Sequence, residues 1–501
     1  MMSTGDKSNE SKLASYIGIS GPETPKYLLL NNFLSEFFQE DEEGREKQYR
    51  YEDFRKAKIL LCEEDNEQKK KQLEESFNYF FRRFSGEELI FRIEKDHYYF
   101  PLRPQMLRSA RTQNLRHLLY CMIPGIENEN VFRDVQKRLY DYLYSRADGA
   151  SYLMSVLCEK FFGEDNWKKV RKKTMEFDMI KAGNFRKVRR NFKEDLYELL
   201  EHPFFRNLDF YKRYDYLATL LDFYVIQFII NKKAITSNRG YILCQGSSHL
   251  LNGEAYHLAC VQNYSEIRFV FQTELKEFYI KCLQEEQIDD QGIVVGSEPD
   301  KIYVIGKNGK EEIIQFVRRV FHSTFKESAK ASLYPSIRKV FALDGVIEKD
   351  YPVEEFVMCY INMSKARTGS TFTKSSSTLN TCGKDIEFVF PKTHSRHKFF
   401  ALSPSLLEFF VRLYLAREKI TYAYLDNFLD FLQNKYGICI QKNDQMDKML
   451  KCLHMKVPFQ EFRQNEKALI DNLDEINCLI RLSDSGYVIT LPEEKGEFTL
   501  L

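Results

Sequence analysis

The sequence predicts a mainly α chain with a small α/β portion: a multi-domain helical protein. Three observations predict it. Apolar residues recur at helical spacing through most of the first 235 residues and again from 404 to 473. A strand-prone stretch interrupts them between about 237 and 305. Near the C-terminus the apolar period falls from helical spacing to two. At 501 residues the chain has room for about three domains on the usual length prior.

The elements follow in order. Residues 1–24 read as a tail ending at Gly21-Pro22, and the first twelve are polar and Ser-rich, unlike a secretory signal. An N-terminal helical domain is expected over 25–160, with helices over Tyr27–Phe38, Glu67–Phe84, Leu107–Met122 and Val131–Tyr144. Alternation between Leu89 and Phe100 predicts a hairpin turning near Lys95-Asp96. A basic helical segment spans 161–235. It ends in the apolar run Leu217–Ile230, which Asp222 and Gln227 interrupt and which is too short to span a bilayer. A mixed α/β region covers 236–398. Its strand-prone pieces are Tyr241–Leu243, Ile267–Phe271, Ile293–Val295, Ile302–Ile305 and Ile386–Phe390, with helices over Glu274–Glu285 and Glu311–Phe325. Residues 365–384, rich in Ser, Thr and Gly, read as an irregular basic loop.

Residues 399–501 carry the sharpest pattern. Ser403-Pro404 opens a helix with a Ser N-cap and Pro at the first helical position. Leu406, Phe409, Phe410, Leu413 and Tyr414 form its apolar face. A second helix buries Leu425, Phe428, Leu429, Leu432 and Tyr436 and stops at Gly437. A third carries Met446, Met449, Leu450 and Leu453, and a fourth Phe462, Leu469, Ile470 and Leu473. Then Cys478–Leu482 and Tyr487–Leu491 flank a Ser483-Asp484-Ser485-Gly486 turn. Helices closed by a hairpin predict a winged-helix domain, which binds DNA or another protein.

Composition narrows the function. Lys and Arg number 74 and Asp and Glu 73, a net charge of +1, which excludes a globally basic nucleic-acid binder but not a local patch. Hydrophobic residues make up 43%, ample for packed cores. Eleven cysteines without a C-x-x-C pair fit buried thiols in a reducing, cytoplasmic setting.

Charge concentrates in one place. Between 168 and 193 stand Lys168, Lys169, Arg171, Lys172, Lys173, Lys181, Arg186, Lys187, Arg189, Arg190 and Lys193, opposed only by Glu176 and Asp178. Cations at this density neutralise phosphates and release counterions. The interleaved Trp167, Phe177, Phe185 and Phe192 either stack on bases or point inward beneath a solvated face. Lys365, Arg367 and Lys374 in the Ser/Thr loop are further candidate phosphate contacts; the loop lacks the spacing of a nucleotide-binding P-loop. These two segments are the expected nucleic-acid-binding sites.

Other constellations are weaker. Cys244, His249, His257 and Cys260 have zinc-ligand chemistry but match no standard spacing, so no metal or cofactor is expected. His394 and His397 sit in a basic segment with Lys392, Arg396 and Lys398. Asp385 and Glu387 with Lys392 come nearest to a metal-dependent nuclease site, without the usual spacing. No catalytic residue is assigned. The C-terminal module itself carries 12 Lys/Arg against 15 Asp/Glu, a net of −3, and its fourth helix counts five acids against Arg463 and Lys467. That balance favours protein docking over DNA for the module.

Taken with the basic stretch, the helical body, Ala401–Ile440 and Ile476–Leu491, the chain resembles accessory proteins of bacterial anti-phage restriction cassettes, the phosphorothioation-dependent (DptG-like) group. The resemblance implies a non-catalytic subunit working with a motor ATPase and a nuclease. The expected function is a DNA-binding or scaffolding subunit of such an antiviral defence complex, with double- or single-stranded DNA and other subunits as partners and no membrane. A divergent metal-dependent nuclease and a protein–protein adaptor without DNA affinity stay open as alternatives.

Overall fold

The computed structural model describes residues 26–38, 115–143, 185–232, 240–245, 254–270, 377–393, 395–483 and 486–494, together with short pieces elsewhere. The fold is mainly helical with few strands. The chain divides into two compact units. One combines 1–22 with 268–378, the other 23–267 with 379–501.

The larger unit is built on apolar helices. Helix α1 (Lys26–Phe38) packs on α6 (Phe210–Asn231), where every side chain from Tyr216 to Asn231 is buried. Around them lie α2 (Leu115–Met122), α3 (Glu129–Leu143), α4 (Arg186–Glu201) and the single turn α5 (Pro203–Arg206). Each large apolar side chain so buried contributes roughly 1.5–3 kcal/mol. Helix α1 departs from its sequence pattern: its polar residues Asn31, Asn32, Ser35 and Glu36 are as buried as its leucines. Glu36 meets the Arg116 Nε at 3.1 Å and the His117 Nδ1 at 3.2 Å, so this buried carboxylate is paired. The hairpin predicted between 89 and 100 is present as β1 (Phe91–Glu94) and β2 (His97–Tyr99). Only residues 67, 68 and 71 of the Glu67–Phe84 helix are described.

A small composite sheet follows. β3 (Tyr241–Ile242) runs parallel to β10 (Ile438–Cys439), and a Leu243–Phe400 bridge joins it to the antiparallel pair β7 (Val389–Phe390) and β8 (Phe399–Phe400). The strand expected at Ile267–Phe271 is absent over its described residues 267–270. Ile267 and Arg268 end helix α7 (Ala255–Arg268), whose buried Tyr256, Ala259, Cys260, Asn263, Tyr264 and Ile267 keep helical spacing. Tertiary packing overrides the β-branched local preference there. The irregular loop expected over 365–384 is corrected over its described part: Thr371–Asp385 is helix α8, and 365–370 lie outside the described residues. Leu379 and Cys382 bury one side of it, and Gly383 leaves room for Val389, whose Cγ2 lies 2.2 Å from where a Cβ would stand. The predicted strand Ile386–Phe390 shrinks to β7, because Glu387 takes a left-handed φ of 55°.

The C-terminal segment runs α9 (Pro404–Glu418), β9 (Tyr422–Tyr424), α10 (Leu425–Tyr436), β10, α11 (Asp444–Cys452), α12 (Phe459–Glu475), β11 (Leu479–Arg481) and β12 (Tyr487–Thr490). Ser403 caps α9 by accepting from the Leu406 N–H at 3.2 Å. Gly437 ends α10 at φ 79°, where a side chain would be strained. The sheet order is β11-β12-β9, antiparallel throughout, with Ile489 paired to Leu479 on one side and to Ala423 on the other. In the smaller unit, β4 (Ile293–Val295), β5 (Lys301–Val304) and β6 (Asp350–Pro352) form an antiparallel meander. The helix expected over Glu311–Phe325 lies outside the described residues. Among the described residues, no helix is long and apolar enough to cross a membrane.

Candidate nucleic-acid interface

Helix α12 has two unlike faces. Inward, it buries Phe462, Asn465, Leu469, Ile470 and Leu473. Phe462 meets the Tyr256 ring edge-on at 5.3 Å between centroids. Asn465 accepts from the Gln245 N–H at 2.6 Å and donates to the Leu243 carbonyl at 3.2 Å and the Tyr256 hydroxyl at 2.9 Å. That buried amide locks the helix against β3 and α7, since leaving the Gln245 N–H unmet would cost about 1–3 kcal/mol.

Outward, Phe459, Gln460, Arg463, Gln464 and Lys467 are exposed on the first three turns. The spacing of 460, 463, 464 and 467 places four long donor side chains on one face. The acids of those turns do not share it. Glu461 is turned to α7, where it accepts from the Tyr256 N–H at 2.7 Å and caps that helix. Glu466 accepts from the Gln441 amide at 2.8 Å. Farther along, Asp474 and Asp471 face Arg481 of β11 at 3.0 and 3.9 Å. Arg463 stands over the Phe459 ring, 5.0 Å from its centroid, and Lys442 lies 5.8 Å from the same ring. Asp444 and Asp447 occupy the first turn of α11, where its N-terminal dipole favours acids; Lys448 and Lys451 follow, exposed. Counting charges along the sequence missed this face; the 460/463/464/467 spacing was the signal that could have found it.

The predicted basic site divides. Lys168, Lys169, Arg171, Lys172 and Lys173 lie outside the described residues, as do Lys365 and Arg367; Lys374 lies in α8, with its side chain outside them. On α4, Arg186 and Arg190 are exposed, and Arg190 reaches Glu194 only at 3.9 Å. Lys187 is committed elsewhere: its ammonium donates to the Asn434 carbonyl at 2.9 Å, and burial lowers its pKa. Arg189 is half-buried. The interleaved aromatics Phe185 and Phe192 point inward, onto Phe228 and Tyr224 at 4.9 and 4.8 Å, so they are core and not base-stacking platforms. Trp167 and Phe177 lie outside the described residues.

Beneath those cations α4 holds a buried polar node. Asp195 accepts from the Tyr224 and Tyr436 hydroxyls, both at 2.6 Å, and pairs with the Lys435 ammonium. Asn191 donates to the Lys435 carbonyl at 2.8 Å. Burial pushes the pKa of Lys435 down and those of both tyrosines up. Arg417 of α9 reaches Glu194 at 2.7 Å. The inner side of the basic helix therefore anchors α10.

Most described members of the weaker constellations are engaged in packing or pairing. Cys244 and Cys260 are buried, and burial raises the Cys260 thiol pKa. His257 packs edge-on against Phe399 at 5.0 Å; His249 lies outside the described residues. Among the described residues, no three His, Cys, Asp or Glu side chains gather as a metal site would need. Asp385 accepts from the Lys26 backbone N–H at 3.0 Å, at the start of α1, and Glu387 pairs with Lys392. His397 is exposed, and His394 lies outside the described residues. No protein family, curated protein or solved structure matches the chain.

Proposed function

We propose that residues 399–501 form a winged-helix module and that the chain is a DNA-binding or scaffolding subunit. The observation that carries this reading is the order of elements: helix α9, strand β9, helices α10 and α12, then strands β11 and β12, with the last strand seated between the other two. That order brings a hairpin beside one exposed helix, the arrangement a winged helix uses on a duplex. Strand β10 and helix α11 are an insertion between the second and third helices. The exposed cations Arg186 and Arg190 of α4 supply further sequence-independent affinity. On the resemblance to restriction accessory proteins, the subunit works within a bacterial defence complex alongside an ATPase and a nuclease.

An adaptor function is the second reading. It is favoured by Ile420, Tyr422 and Tyr424, which lie exposed on and beside the edge strand β9, Tyr424 at 61%. Binding of the full-length chain to labelled duplex and single-stranded DNA across a salt series, with and without Mg²⁺, separates the two. Binding that falls steeply with salt, without cleavage, is expected. No binding at low salt would refute the DNA reading and leave the adaptor.

A further inference from the structure

Resting on that reading, we propose that the first three turns of α12 enter the major groove of duplex DNA and read base edges there, through Gln460, Arg463 and Gln464, with Lys467 on a phosphate. The charge count along the chain points the other way, since this helix is acidic by composition. The side-chain directions reverse it. Glu461 and Glu466, the acids of these turns, are hydrogen-bonded to Tyr256 and Gln441. Asp471 and Asp474 lie further along, beside Arg481. What remains exposed on the leading turns is one aromatic ring, two amides and two cations, with Lys442 close beside them.

Those residue types fit base edges. A guanidinium donates a bidentate pair to guanine O6 and N7, and a glutamine amide pairs with adenine N6 and N7. Phe459, 53% exposed at the tip of the helix, offers an apolar contact for a thymine methyl. Duplex is favoured over single strands because this face holds a single ring. A single-strand groove needs successive aromatic platforms. Charge complementarity agrees, since the leading turns present Arg463 and Lys467, with the neighbouring Lys442, to a polyanion while Glu461 and Glu466 are hydrogen-bonded elsewhere. The side chains involved are exposed, so truncating them leaves the packing of α12 intact.

The test is selection of bound duplexes from a random pool by the full-length protein, followed by titration of the selected duplex. The wild-type chain is expected to enrich a short motif containing guanine. Arg463→Ala is expected to weaken the selected duplex roughly five- to hundredfold and to erase the preference at that guanine. Arg463→Lys keeps the charge, and is expected to lose the preference while retaining most non-specific affinity. Lys467→Ala is expected to weaken all duplexes alike and to reduce the salt slope by about one. If the wild-type chain binds duplex but Arg463→Ala and Gln464→Ala leave affinity and preference unchanged, this assignment is overturned while the DNA-binding reading stands. Tighter binding of single strands, weakened by the same substitutions, also overturns it. If the wild-type chain binds no DNA at low salt, the underlying reading fails and takes the assignment with it.

Discussion

Helices α4 and α12 make an instructive pair. By count α4 is the richest described source of cations in the chain and α12 is acidic. In the folded protein much of that contrast dissolves. On α4, Lys187 is spent on the Asn434 carbonyl, Arg189 is half-buried, and the phenylalanines between the cations are core. On α12 the acids of the leading turns are drawn to α7 and to Gln441, leaving Arg463 and Lys467 outward. A partner meets a face and not a composition, so net charge per segment misleads wherever buried or capping groups absorb one sign.

Several experiments bear on this contrast, and the largest effect is expected on the inner side of α4. Asp195→Ala leaves the Lys435 ammonium buried without its counter-ion and two tyrosine hydroxyls without their acceptor. Chemical denaturation should show a loss of about 3–5 kcal/mol. A loss below about 1 kcal/mol would mean that the node does not anchor α10.

The inner side of α12 comes next. Asn465→Ala removes the amide that meets Gln245, Leu243 and Tyr256, and should cost about 1–3 kcal/mol. An unaffected midpoint would detach α12 from the composite sheet.

The outer faces are compared through DNA binding. Reversing Arg186, Arg189 and Arg190 to Glu should weaken binding to every sequence and flatten its salt dependence, the signature of phosphate contacts. Arg463→Ala should instead change which sequence is bound. If the α4 reversal leaves binding unchanged, α4 is scaffold on both sides.

A pH measurement keeps stability apart from binding. Asp222 of α6 is fully buried, and neither of its oxygens meets an N–H or O–H donor among the described residues; the Cys382 thiol lies alongside. Burial first, and Asp385 second, hold its pKa well above the ordinary carboxylate value, against the pull of Lys26. A raised folded pKa means stability that is full below the unfolded pKa, about 4, and declines as pH rises through the folded value. Asp222→Asn should therefore raise the unfolding midpoint at neutral pH, a gain that vanishes at pH about 4 and below. Equal gains at both pH values would place the effect in packing instead.

The smallest effect tests the surface itself. Arg190→Ala removes only a 3.9 Å contact to Glu194 and should move stability by less than about 0.5 kcal/mol.

Much of the helical order is legible in the sequence alone. Helix α9 with its Ser403 cap, α10 with its Gly437 stop, and the 91–99 hairpin all carry local signals, because capping and turn chemistry act within a few residues. Strand β9 is not among the elements the periodicity predicts, although its Tyr-Ala-Tyr alternation is an available cue. Three residues form a strand only when a partner supplies the hydrogen bonds, here β12. Helix α8 escapes the sequence for a related reason: its Ser, Thr and Gly composition argues for a loop, and among the described residues the burial of Thr378, Leu379 and Cys382 favours the helix.

The sequence by itself determined the mainly helical class, most C-terminal elements and their boundaries, since periodicity and caps are local properties of the chain. Only the tertiary structure decided the sheet order β11-β12-β9, the burial of the polar side of α1 and the direction of each charge on α4 and α12. Those depend on which distant residue stands opposite, as Tyr256 does for Glu461 and Lys435 for Asp195, and no spacing within a helix encodes that.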